Sequence, residues 1–154
     1  MAAIHRITED LYEDSFAIIA VHSSLEDHAL VYALNQNLKT KFKRCSKDLE
    51  LSPFTTFPIF EWNDTINDSY WTLITNGSIK KLHIAGEDLF VDEPSFSKHY
   101  VLPEYKEVDY LLKIEQDELD HIHKIVKKLL EMPKVLTAYR IDTEKLKSKN
   151  HLIF

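Results

Sequence analysis

A strand-like apolar segment followed directly by a helix-like segment occurs twice in this chain, and this order most constrains its fold. Residues 16–21, FAIIAV, form a β-prone run long enough for a buried strand, and a helix is predicted after it over 25–38. Residues 108–114 alternate between apolar and polar side chains, and a second helix is predicted over 116–131. The segment VLTAYRI, 135–141, is again a predicted strand.

The middle of the chain adds aromatic, β-favouring segments at 54–62 and 70–75, joined by the turn-rich sequence NDTINDS. A short strand is also predicted over 81–85, and a loop over 87–98. The resulting order, β-α-β-β-(β)-β-α-β, predicts an α+β fold in which two helices cover one face of an antiparallel sheet. The simplest template is ferredoxin-like, βαββαβ, with additional strands. The alternative is a more strongly bent sheet with the helices on opposite sides.

Length and glycine content restrict the class of protein. A chain of 154 residues is expected to form a single globular domain, 1–154. Its two glycines, Gly77 and Gly86, lie apart, whereas dinucleotide fingerprints and phosphate-cradling loops need several glycines close together. A GxSxG nucleophile elbow is also absent from the sequence. We therefore expect no cofactor.

Charge and cysteine content restrict the partners and the compartment. The net charge of −6 repels polyanions, so we expect no nucleic acid partner. The single cysteine, Cys45, permits no intrachain disulfide and suits a reducing compartment. The N-terminal segment is acidic, and no stretch approaches the ~20 apolar residues that span a bilayer. These features predict a cytoplasmic protein without membrane contact.

A local basic cluster follows the first predicted helix. We interpret it as a solvated surface near a helix C-terminus, where the dipole favours cations, and not as a phosphate site. Its members are Lys39, Lys41, Lys43, Arg44 and Lys47.

The nonapeptide LPEYKEVDY, 102–110, joins Pro103 to three carboxylates, Glu104, Glu107 and Asp109. In an extended chain, Glu107 and Asp109 project to the same face about 7 Å apart. Two carboxylates that close are able to bind a cation or to divide acid and base roles between them. The sequence therefore makes this segment a candidate functional motif.

The same carboxylates also have a structural interpretation. The alternation places Val108 and Tyr110 towards the core, with Asp109, Leu111 and Lys113 on the opposite face. Carboxylates there would satisfy backbone amides or pair with Lys113 and Arg140, since buried carboxylates are normally paired. The sequence alone leaves both interpretations open.

A second candidate site is the turn after the first predicted strand, which contains His22, Ser23 and His28. A nucleophilic triad requires an oriented base and an oxyanion hole, and adjacency in sequence does not supply that geometry. Ser23 and Glu26 are instead predicted to form a capping box, in which the Ser23 hydroxyl accepts from the Glu26 amide.

No metal site is predicted. Asp117 and His121 are spaced to share a helix face, but zinc sites need three or four converging ligands. An ion-pair or capping role is the expected one.

Aromatic side chains in the middle of the chain are able to line a small-molecule pocket, a core or a dimer face. They are Phe54, Phe57, Phe60, Trp62, Tyr70 and Trp71.

The segment LPEYKEVDYLL resembles the signature of the IPExxxVDY family, a set of small uncharacterised proteins of Bacteroidetes-type bacteria. Leu102 replaces the first Ile of that motif. The matching residues are Pro103, Glu104, Val108, Asp109 and Tyr110. The segments EDHALVYALNQNL, SYWTLITN and TAYRID, and the ending LKSKNHLIF, are also similar to this family. The resemblance implies a single-domain bacterial member, but it transfers no catalytic residue, because the family has no established activity.

Three functions follow as hypotheses. The first is a non-enzymatic protein that acts through protein–protein contacts as a homodimer, using a sheet edge or the apolar tip 152–154. The second is a small-ligand-sensing module that uses the His22 turn, and the third is an enzyme that uses Glu104, Glu107 or Asp109. The sequence assigns no catalytic residue, and it does not identify a ligand.

Overall fold

The computed structural model describes residues 16–52, 55–82 and 95–154. The strands and helices, in chain order, are β1 (Phe16–Ser23), α1 (Asp27–Asn37), β2 (Lys43–Arg44), β3 (Leu49–Ser52), β4 (Thr55–Phe57), β5 (Ile59–Asp64), β6 (Ser69–Thr75), β7 (Gly77–Leu82), β8 (Ser95–Tyr100), β9 (Tyr110–Glu115), α2 (Ile122–Leu130) and β10 (Val135–Ile141). Short 3₁₀ turns occupy Pro103–Tyr105, Thr143–Lys145 and Lys149–Leu152.

Six strands form one antiparallel sheet in the order β10-β1-β9-β6-β5-β2. The pairs β3–β4 and β7–β8 form separate two-stranded hairpins. The central strands β1 and β9 are buried along almost their whole length, which explains why β1 reads as a continuous apolar run. The predicted α+β class, with an antiparallel sheet and two helices, is confirmed.

One face of the sheet is covered by both helices. The apolar stripes of α1 and α2 pack against side chains that β1, β6 and β9 project to the same side, and burial of each such side chain contributes about 1.5–3 kcal/mol. The main members are Leu30, Val31 and Leu34 of α1, Ile122, Ile125 and Leu129 of α2, Ala17, Ile19 and Val21 of β1, Trp71 and Leu73 of β6, and Leu112 and Ile114 of β9.

The opposite face is covered by non-helical segments. The β3–β4 hairpin, the 101–108 segment and the 146–152 segment lie over side chains of β1, β6 and β9. The buried members include Ile18, Ala20, Ile74 and Leu111 of the sheet, with Leu49, Phe57, Val101, Leu102, Val108, Leu146 and Leu152 above them. The sheet is therefore buried on both sides.

Several elements differ from the predicted boundaries. The helix predicted over 116–131 begins only at Ile122, so Asp117 and His121 do not share a helix face, and that pairing prediction is wrong. Part of the predicted loop over 87–98 is also wrong, because β8 begins at Ser95. Pro58 divides the predicted strand over 54–62 into β4 and β5, since proline cannot donate to a ladder. Phe54 and residues 83–94 lie outside the described part of the chain.

The capping box is a further correction. Helix α1 begins at Asp27 with Glu26 at its N-cap, and no side chain caps it. Ser23 remains the last residue of β1, and its hydroxyl donates to the Lys134 carbonyl at 2.8 Å and accepts from the Leu25 amide at 3.2 Å. The serine thus joins the β1 end to the turn before β10.

One residue of the basic cluster, Arg44, has an acidic partner. Lys43 and Arg44 form the short edge strand β2 and are exposed, and the Arg44 guanidinium forms an ion pair with Asp48. Among the described residues, no helix is long and apolar enough to cross a membrane.

Candidate functional site

Asn76 organises the segment that carries the candidate carboxylates. Its side chain is completely buried, and its amide nitrogen donates to the carbonyls of Tyr105 at 2.8 Å and Val108 at 2.9 Å. Its amide oxygen accepts from the Leu102 backbone at 2.9 Å. One side chain between β6 and β7 thus satisfies three backbone groups of the 102–108 turn.

The Asn76 backbone extends the same connection. Its amide donates to the Asp109 carbonyl at 3.0 Å, and its carbonyl accepts from the Val101 amide at 2.9 Å. The dipeptide Asn76-Gly77 is by itself a turn signal. No sequence signal distinguished Asn76 from an ordinary turn residue, because its partners are 25 or more residues away in the chain.

Glu104 binds backbone of the C-terminal segment. Its carboxylate accepts from the amides of Lys147 at 3.0 Å and Ser148 at 3.2 Å. Pro103 begins the short 3₁₀ turn that presents this carboxylate. Nearby, His151 Nδ1 donates to the Val101 carbonyl at 2.8 Å. These three hydrogen bonds join the C-terminal segment to the 101–105 turn.

Asp109 and Tyr110 fix the other end of the motif. The Asp109 carboxylate accepts from the Ser23 amide at 2.9 Å, and the Tyr110 hydroxyl donates to the Leu25 carbonyl. Burial, with the nearby charges of Asp27 and Asp109, raises the pKa of Tyr110 to about 12, so the hydroxyl stays a donor at neutral pH. Both side chains therefore hold the turn between β1 and α1.

The orientation of Val108 differs from the one that the alternation predicted. Val108 precedes β9 and packs on the face opposite the helices, whereas Tyr110 packs on the helix face, so their predicted common orientation is wrong. Glu107 is exposed at the end of the turn. The carboxylates of Glu104 and Asp109 contact different segments and do not bind a common partner.

The His22 turn is not assembled as a nucleophilic site. His22 Nε2 lies 3.1 Å from the Tyr139 hydroxyl, while the Ser23 hydroxyl donates elsewhere. His28 is exposed and lies 3.5 Å from Glu26 and 3.4 Å from Asp27. The three candidates thus have separate local partners, and no hydrogen bond joins the Ser23 hydroxyl to either imidazole.

Two tryptophans line a cavity of about 310 Å³ between the β5–β6 hairpin and the start of α2. Trp62 and Trp71 lie with ring centroids 5.4 Å apart. Apolar wall is added by Leu38 and Ile125, and polar lining comes from Thr40, Asp64, Asn67, Ser69, Gln116, His121 and Lys128. Of the aromatic set predicted from the sequence, Phe57 and Phe60 are instead buried in the two opposite cores.

Within the described residues, no group of three histidine, cysteine, aspartate or glutamate side chains is placed to hold a metal ion. The chain matches no protein-family model, no curated protein and no solved structure.

Proposed function

We propose that this protein acts through contacts between copies of its own chain, as a homodimer joined along β10. The observation that carries the proposal is the position of β10 in the sheet. It pairs with β1 on one side, and among the described strands it has no neighbour on the other. An edge strand of seven residues without proline presents backbone donors and acceptors to another strand.

The surface beside this edge supports a second copy as the partner. A groove of about 510 Å³ lies along α2 and β10, with Leu119, Ile122, Val126 and Ala138 as its apolar lining. The same groove carries an acid, Asp120, and a base, Arg140. A two-fold axis brings the same patch of both copies together, so the acid of one copy is able to pair with the base of the other.

The edge is not uniform. The pairing of β1 with β10 shifts register between His22 and Ser23, which leaves Leu136 as an extra residue. Leu136 is 73% exposed. We propose regular strand pairing at 137–141 and an apolar contact of Leu136 with the second copy that excludes water beside this pairing.

Charge placed at Leu136 tests the dimer. We expect the native chain to sediment as a dimer and Leu136→Glu to weaken association by about tenfold or more, because a carboxylate would be desolvated there. Ile66→Glu is the matched control, since Ile66 is 91% exposed in the β5–β6 turn, remote from β10. A native chain that stays monomeric at high concentration would refute the proposal, as would Leu136→Glu with unchanged association.

We also propose that β10, β1, β9 and β6, with α1 and α2, form a ferredoxin-like core. This is supported by the strand order and by the position of both helices on one face. The remaining strands would be additions to this core. An experimental structure with α1 and α2 on opposite faces would contradict this assignment.

Membership of the IPExxxVDY family is likewise our proposal. It is supported by the distinct contacts of Glu104, Asp109 and Tyr110, which would give the motif a structural reason to persist. We expect relatives that carry the motif to carry an amide side chain at position 76 as well. Relatives with the motif and an apolar residue there would contradict the idea.

A second candidate function is the binding of a small planar ligand in the tryptophan-lined cavity. It is supported by the pairing of two indole rings with the polar side chains of Gln116, His121 and Lys128. A thermal-shift screen over amino acids and nucleotides, with tryptophan fluorescence as second readout, tests it. A shift abolished by Trp62→Leu supports the site, and no shift with any compound counts against it.

A further inference from the structure

Lys113 is the only buried lysine among the side chains that the structure describes. Its side chain is 1% exposed, and within residues 16–52, 55–82 and 95–154 its Nζ has no hydrogen-bond partner. The Glu115 carboxylate forms an ion pair with it at 3.6 Å, which is longer than a hydrogen bond. A buried ammonium normally satisfies its three donors, so this amine calls for a further explanation.

Two aromatic rings enclose the amine. Nζ lies 5.1 Å from the ring centroid of Phe16 and 4.5 Å from that of Phe154. Burial lowers the pKa of Lys113, and Glu115 only partly opposes this. The neutral amine, which holds the nucleophilic lone pair, is therefore more abundant here than at an exposed lysine.

A second unsatisfied group lies beside the amine. Thr72 of β6 is directly opposite Lys113 of β9, so their Cβ atoms are about 4.5–5.5 Å apart on the same face of the sheet. The Thr72 hydroxyl is also buried, and the described part of the chain gives it no hydrogen-bond partner. Two adjacent buried polar groups without partners destabilise the fold unless a ligand satisfies them.

The neighbouring side chains indicate the kind of ligand. Phe16 and Ile18 supply apolar wall on β1, and the Phe154 ring covers the amine while being itself 49% exposed. Glu115 and, opposite Thr72 on β5, Glu61 are acidic. These carboxylates disfavour an anionic ligand, and the rings favour a small apolar one.

We propose that Lys113 is a reactive amine that forms an imine with a small apolar aldehyde, which enters beneath the ring of Phe154. The Nζ lone pair bonds to the carbonyl carbon, and the carbonyl oxygen is protonated to give a carbinolamine. Nζ gives up its first proton as this oxygen is protonated. The hydroxyl then takes up one further proton and leaves as water, and Nζ releases its second proton to give the neutral imine. The exchange consumes one aldehyde, releases one water and involves no oxidant or reductant.

Two side chains are placed to assist this exchange. Glu115 accepts the proton released from Nζ and returns it to the departing hydroxyl, and its side chain is 26% exposed, so it equilibrates with solvent. The Thr72 hydroxyl is on the correct face to donate to the carbonyl oxygen. Glu115 thus transfers protons beside the Lys113 nitrogen, and Thr72 positions the carbonyl group.

Reductive trapping tests the proposal. The full chain is incubated with butanal and cyanoborohydride near neutral pH, which reduces any imine to a stable secondary amine, and modified peptides are quantified by mass spectrometry. We expect Lys113 to be labelled several-fold faster than the exposed Lys47 and Lys124. Lys113→Met should abolish only that label.

Two variants separate reactivity from access. Phe154→Ala should speed labelling of Lys113 by about tenfold and leave Lys124 unchanged, because the covering ring is removed. Thr72→Val keeps the side-chain shape but removes the hydroxyl, so it should slow the labelling of Lys113. Circular dichroism verifies the fold of each variant. Labelling of Lys113 in Phe154→Ala alone also supports the proposal, with the ring as the barrier. If Lys113 reacts no faster than Lys124 in both the native chain and Phe154→Ala, the proposal is wrong.

Discussion

At the scale of single residues, Asn76 has the largest share of the contacts that shape the candidate motif. Its side chain satisfies the carbonyls of Tyr105 and Val108 and the amide of Leu102, all from a completely buried position. A buried backbone group without a partner is costly, so the turn depends on this one amide. The carboxylates of the motif are thereby held in place by a residue that is distant from them in sequence.

Asn76→Ala should be among the most destabilising substitutions in the chain. It removes three hydrogen bonds and leaves the Val108 carbonyl and the Leu102 amide without the partner that Asn76 supplies, so we expect a loss of about 3 kcal/mol in the free energy of unfolding. Urea denaturation followed by tryptophan fluorescence measures it. Asn37→Ala is the control, because Asn37 is exposed on α1 and bonds only its own helix, and its change should stay within about 0.5 kcal/mol. Equal effects of the two substitutions would contradict this role.

At the scale of elements, the sequence identified strands both at the centre and at the edge of the sheet. The predicted limits of β10, 135–141, are confirmed, and β1 and β6 differ from prediction by one or two residues at an end. These strands carry long apolar or β-branched runs. The short strands β2 and β3 were missed. β2 consists of two charged residues, the alternation of β3 extends over only four residues, and the pairing of both depends on tertiary contacts.

The candidate site was less predictable than the strands. The structural interpretation of Glu104 was available from Pro103 and the turn, but its partners at Lys147 and Ser148 are more than 40 residues away. Lys113 was placed correctly opposite the helix face, yet the alternation implied a polar, half-buried surface there. It is buried because segments after β10 cover that face, which local sequence does not report.

The C-terminal segment provides a test at this scale. Glu104→Gln should weaken the acceptor for the amides of Lys147 and Ser148, since an ionised carboxylate is the stronger partner. We expect faster hydrogen exchange at these two amides and a loss of about 1 kcal/mol in stability. Glu107→Gln, an exposed change three residues along, should leave both amides protected. Unchanged exchange in Glu104→Gln would show that other contacts hold the segment.

At the scale of the whole molecule, burial on both faces of the sheet determines the environment of every strand residue. The helices cover one face, and a hairpin, the 101–108 segment and the C-terminal segment cover the other. A charged side chain in the middle of a central strand is therefore shielded from solvent on either face. Lys113 lies in that position, and we expect its buried amine to lower the stability of the fold at neutral pH.

Lys113→Met should accordingly stabilise the protein by about 1–4 kcal/mol near neutral pH, because an apolar chain of similar length replaces a buried amine. The gain should depend on pH. Burial lowers the folded pKa of Lys113 below its ordinary value of 10.5, so the unfolded chain binds more protons between these two values. The native chain thus gains stability relative to the variant as pH rises towards about 10.5, and the difference shrinks.

Other buried groups do not obscure this comparison. Burial raises the pKa of Cys45 to about 11 and that of Tyr110 to about 12, which lowers stability at high pH in both proteins equally. Subtracting the unfolding free energies of the two proteins at each pH therefore isolates Lys113. A difference that stays constant between neutral pH and pH 10.5 would show that Lys113 has the same pKa in the folded and unfolded chains. A less stable Lys113→Met variant would instead show that the amine and Glu115 form a net stabilising pair.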